Sequence, residues 1–87
     1  MSNFEEIEIL FSNFLAVAKP DLSDSECAEI QKFVDVGEYG LALETGVDIY
    51  IEEKKIASEN VVALIDRLAV AMSMERSPLL KRLPRSP

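Results

Sequence analysis

The constraint that most narrows the fold is the spacing of apolar residues near the start of the chain. In FEEIEILFSNFLAVAKP, residues 4–20, the residues Phe4, Ile7, Leu10, Phe11, Phe14, Leu15 and Ala18 recur at steps of three and four. That period lines one broad stripe of an α-helix, and the stripe is stable only when buried against another element. Ser2 and Glu5 have the spacing of a capping box, and Pro20 after Lys19 stops the helix, which predicts a helix over 3–18.

The pattern repeats three times. In LSDSECAEIQKFVDVG, Ser23 and Glu26 form a second capping-box pair, Cys27, Ile30, Phe33 and Val34 share a face, and Gly37 is placed to end the helix in a left-handed cap. Over residues 38–53, Tyr39, Ala42, Leu43, Gly46, Val47 and Tyr50 fall on one arc. Glycine weakens a helix, so Gly46 inside that arc predicts close approach by a neighbouring helix. VDIYI, residues 47–51, alternates like a strand, but no second segment could pair with it, and it reads as helix. Ser58 opens the last segment, with Val61, Leu64, Ile65, Leu68, Ala69 and Met72 inward.

The connections are short, as between antiparallel neighbours in a bundle. Residues 76–87, RSPLLKRLPRSP, hold three of the chain's four prolines. They read as a tail without helical continuation, ordered only if Leu79, Leu80 and Leu83 pack back on the body. The expected architecture is therefore all-α: an antiparallel bundle of about four helices over 1–75, followed by a basic tail over 76–87. With 87 residues, such a domain buries only about 60–65% of its unfolded surface.

Several chemistries lack their side chains. There is no histidine, so the usual general base near neutral pH is missing, and Cys27, the single cysteine, has no imidazole to activate it. Neither a phosphate-binding glycine loop nor a calcium-loop pattern is present. The chain is read as a non-enzyme with no metal and no cofactor. MSNFEEIEILF has no basic leader character, and no apolar run reaches the ~18–20 residues of a membrane span. The expected location is cytoplasmic.

Charge gives the positive signal. Residues 1–75 carry 16 acids against 5 bases, a net −11, whereas residues 76–87 carry four bases and no acid. An acidic body repels nucleic acid and anionic membranes and attracts basic proteins. On the outer side of the third helix, Glu44, Asp48 and Glu52 form a stripe at four-residue spacing. Such like-charge pairs cost a helix roughly 0.2–0.5 kcal/mol each. Glu38 and Glu53 stand at the rim, and Tyr39, Leu41 and Tyr50 are candidate anchors. Carboxylates around apolar anchors suit a site for a basic protein; an ordinary solvated helix face also carries glutamates.

The run GEYGLALETGVDIYIEEKKIASENVVALIDRLAVAMSM, residues 37–74, resembles the small immunity proteins of bacterial toxin systems, in particular the MafI-type family and similar immunity proteins of contact-dependent growth inhibition. The resemblance lies in Gly37, Glu38, Tyr39, Ala42, Leu43 and Glu44, then in Glu52 and Glu53, Ile56, and the final helix through Ala71 and Met72. Gly46 and the basic tail depart from the pattern. The resemblance implies a helical protein that binds a cognate toxin in the cytosol and blocks it, the toxin being a basic nuclease such as an EndoU-type RNase. Glu44, Asp48 and Glu52 would then face its lysines and arginines. Two other readings stand beside it: a helical adaptor or regulatory module unconnected with any toxin, and self-association through Leu41 and Ile51.

Overall fold

The computed structural model describes residues 4–84, with the backbone alone at 76 and 77. It is an all-α, antiparallel bundle of five helices: α1 (Phe4–Ala18), α2 (Asp24–Asp35), α3 (Tyr39–Glu52), α4 (Glu59–Ala71) and α5 (Arg76–Arg82). Helix α1 packs chiefly on α4, and α2 on α3, while α5 lies against α4. Residues 47–51, ambiguous in sequence, are helical.

The core follows from the sequence period. Ile7, Phe11, Phe14 and Ala18 of α1 meet Ile30 and Val34 of α2, Ala42, Leu43, Val47 and Tyr50 of α3, and Val61, Ile65, Leu68 and Ala69 of α4 in one cluster. Phe4, expected on the inner face, is instead 59% exposed. It sits in the first turn of α1, beyond the end of the packed stripe. Cys27 and Phe33 reach only the edge of the core and are half-buried.

The helix ends show why the chain turns where it does. Ser23 accepts a hydrogen bond from the Glu26 N–H at 3.1 Å, and the Ser23 N–H donates to Glu26 Oε1 at 2.9 Å, completing the capping box of α2. Ser58 accepts from the Val61 N–H at the start of α4. The proposed box of Ser2 with Glu5 lies partly outside the described residues. At the other end of α2, Gly37 takes φ +78°. Its N–H donates to the Val34 carbonyl and the Glu38 N–H to that of Phe33, a paired closure that satisfies carbonyls the helix leaves open. Helices α3 and α4 end in the same pattern, but with Lys54 at φ 54° and Ser73 at φ 57° in the left-handed position.

Residues 76–82 correct the expectation of a tail without a helix. Pro78 lies in the first turn of α5, where a missing N–H costs nothing, so it opens a helix rather than stopping one. Leu79 and Leu83 are buried in the common core, and the Pro84 carbonyl accepts a hydrogen bond from the Ala57 N–H at 2.8 Å. The segment is thus tied to the α3–α4 connection.

Candidate protein-binding surface

The apolar arc of α3 faces the core, so its opposite side carries Leu41 and Asp48, flanked by Glu44 and Glu52. Leu41 is 46% exposed, with exposed Glu38 and Glu44 within a turn of it and exposed Glu52 on the same face at the far end of the helix. These four residues form an open acidic face with one apolar contact toward its N-terminal end.

The other four residues expected there have different surroundings. Asp48, the middle of the stripe, accepts a hydrogen bond and ion pair from Arg82 of α5, Nη2 to Oδ1 at 3.0 Å. The repulsion along the stripe is therefore partly offset within the chain, by the basic segment itself. Glu53 turns away toward the start of α2. It shares a hydrogen bond with Glu26, which raises its pKa above the ordinary carboxyl value, desolvation adding to the effect and Lys55 opposing it. Glu26 moves the opposite way, lowered first by the hydrogen bond with Glu53 and then by the Ser23 backbone N–H. Lys55 Nζ lies 3.5 Å from Glu53 Oε1.

Tyr50 is corrected outright as an anchor. It is completely buried, and its hydroxyl donates to Asp21 Oδ2 at 2.7 Å. Burial and that hydrogen bond both raise its pKa well above the phenol range. A tyrosine on the inner arc points at the core, and its polar end is satisfied by a carboxylate in the α1–α2 turn, so nothing of it is offered to a partner. Tyr39 is half-buried at one end of the bundle. Its hydroxyl donates to Glu8 Oε2 at 2.6 Å, and its ring lies 5.8 Å from that of Phe4 and 6.3 Å from that of Phe11. The Glu8 hydrogen bond raises its pKa.

Sequence reasoning missed Arg82, Glu8, Asp21 and the pairing of Glu26 with Glu53. Each joins residues distant in the chain, and only the three-dimensional arrangement shows them. A signal for Arg82 was present: Leu79 and Leu83 at helical spacing fix the face on which it can stand.

Cys27 is half-buried, and desolvation, with Asp24 nearby, raises its pKa, which keeps it a thiol with little nucleophilic character. Among the described residues, no group of three or more acidic, cysteine or histidine side chains converges to hold a metal ion. No described helix is long and apolar enough to cross a membrane. What the arrangement offers chemically is complementarity to cations. Comparison with protein-family models, curated proteins and solved structures finds no match to this chain.

Proposed function

We propose that the chain is an immunity protein, binding a basic protein toxin in the cytoplasm and neutralising it by covering the cleft with which the toxin grips nucleic acid. The observation that carries this reading is the open face of α3, where exposed Leu41 stands within a turn of exposed Glu38 and Glu44 and exposed Glu52 continues the acidic face toward the helix end. The resemblance of residues 37–74 to immunity proteins supplies the biological setting. A nuclease cleft is basic because it holds phosphates; carboxylates at the same positions compete for the same lysines and arginines. Blocking by occlusion needs no catalytic group on the inhibitor.

A tagged full-length chain, exposed to extract of its native cell and eluted with a salt gradient, tests the proposal. The expected result is one basic protein with nuclease activity, released only at high salt and inhibited on readdition of the chain. A double variant, Glu44→Lys with Glu52→Lys, is expected to weaken that complex by more than about 2 kcal/mol, roughly thirty-fold. A loss under about 0.5 kcal/mol would remove α3 from the interface. Retention of an acidic, salt-indifferent partner would favour the adaptor reading.

A further inference from the structure

We infer that the groove at one end of the bundle is an anchor pocket for an apolar side chain of a basic polypeptide segment, with a lysine or arginine beside that side chain meeting Glu38. This rests on the reading of the chain as a binder of a basic protein, and it assigns where the partner's apolar anchor is held.

The groove, about 450 Å³, lies between the start of α1, the α2–α3 junction and the end of α4. Its volume falls in the range of ligand pockets, roughly 300–1,000 Å³. Phe4, Ile7, Tyr39, Met72 and Met74 supply the apolar lining. Both methionines are half-buried against the core. Thioether side chains are flexible and polarisable, so they fit apolar groups of varied shape. Phe4 is mostly exposed although its ring packs near Tyr39, which leaves an aromatic edge open at the mouth.

Gly40, which also lines the groove, makes the strongest case. The other two glycines have structural reasons: Gly37 needs its left-handed backbone, and Gly46 is pressed against Phe14. Gly40 has a helical backbone, and nothing lies within 4 Å of where its Cβ would stand. Glycine there weakens the helix with no gain in packing or conformation. Its effect is to keep the groove open.

Charge selects the occupant. Glu38 at the rim is exposed and caps no backbone N–H. Glu8, held by the Tyr39 hydroxyl, brings a second carboxylate close by. Among the described residues, no lysine or arginine lines the groove. Within a body this acidic, an apolar residue flanked by cations gains from both burial and attraction, whereas an acidic segment is repelled.

The test titrates the isotope-labelled full chain with two synthetic peptides of equal positive charge, at about 10 mM ionic strength so that screening is weak. One alternates arginine with leucine, the other arginine with serine. The leucine peptide is expected to shift the amide signals of residues 37–40 and 72–74 and to bind about ten-fold more tightly. Gly40→Leu, which fills the groove while favouring the helix, is expected to abolish that difference. Equal binding of both peptides, with shifts confined to the region of Glu44 and Glu52, would overturn the groove and leave the acidic α3 face standing. Binding of neither would overturn the groove and the attraction to basic partners together. The comparison of peptides on the unaltered chain holds even if the leucine variant folds poorly.

Discussion

Gly46 and Gly40 sit six residues apart in one helix, and the same substitution is expected to have opposite effects at the two. A Cβ on Gly46 would meet Phe14 Cε2 and Cζ at 3.2 Å and Ile30 Cδ1 at 3.7 Å. Phe14 is fully buried, so its ring can yield only by disturbing the core. Overpacking of this kind costs about 1–3 kcal/mol, more than the up to ~1 kcal/mol that alanine adds to helix propensity. Gly46→Ala is therefore expected to destabilise the fold by about 1 kcal/mol, and Gly40→Ala to stabilise it by about 0.5 kcal/mol, in urea titrations of the two variants. Tyr50 gives a second residue-scale prediction. Tyr50→Phe keeps the ring in the core but removes the donor to Asp21, and a hydrogen bond to a charged acceptor contributes about 1.5–3 kcal/mol at most. Asp21 is only half-buried and water can replace the lost donor. A loss of about 1–2 kcal/mol is expected; no measurable loss would mean the hydrogen bond is offset by solvation in the unfolded chain.

At the scale of elements, helix existence was legible because period, caps and stops agree, as in α2, where Ser23, Glu26 and Gly37 mark both ends. Left-handed closures at Lys54 and Ser73 were not legible, because neither residue announces a positive φ. An L-residue held there carries a steric cost of roughly 1–2 kcal/mol, part of which glycine gives back through unfolded-state entropy. Lys54→Gly and Ser73→Gly are each expected to raise stability by about 0.5–1 kcal/mol in thermal melts. The junction of α2 with the end of α3 gives a pH prediction. Glu53 binds its proton more tightly in the fold, so its contribution is present at low pH and lost as pH rises above the ordinary carboxyl value of 4.5 through the raised one. Glu26, with its folded pKa lowered, contributes above 4.5 and loses that contribution as pH falls through the lowered value. Glu53→Gln supplies an amide donor to Glu26 without a second charge. Its melting temperature is expected to exceed the parent's at pH 7 and to converge with it near pH 4; equal differences at both would dismiss the carboxyl pair.

For the whole molecule, the split between an acidic body and a basic end was legible from composition, but its consequence was not. Pro78 looks like a breaker in sequence and acts as a helix opener, and the spacing of Leu79 and Leu83 becomes informative only once a surface exists to receive them. The candidate site was legible to the same extent. Helical spacing placed Glu44, Leu41 and Glu52 outward, but it could not show that Arg82 reaches Asp48 or that Tyr50 closes over Asp21. Beside the Ala57–Pro84 hydrogen bond, an ion pair and leucine burial both hold the α5 segment, and their sizes differ. The Arg82–Asp48 pair is about half exposed at both ends, 54% and 45%, and exposed pairs contribute under about 1 kcal/mol and fade with salt. Leu79 and Leu83 are 6% and 5% exposed, and truncating a buried leucine costs about 2–5 kcal/mol. Leu83→Ala is accordingly expected to lower global stability by about 2 kcal/mol at any ionic strength, and Arg82→Ala by no more than about 0.5 kcal/mol, a difference that vanishes in 0.5 M salt. Arg82→Ala also leaves Asp48 without its counter-ion, so the α3 face becomes more acidic while the fold persists. Denaturant titrations of both variants at two salt concentrations separate the terms. A larger loss for Arg82→Ala than for Leu83→Ala would mean that charge, not burial, fastens the C-terminal helix to the bundle.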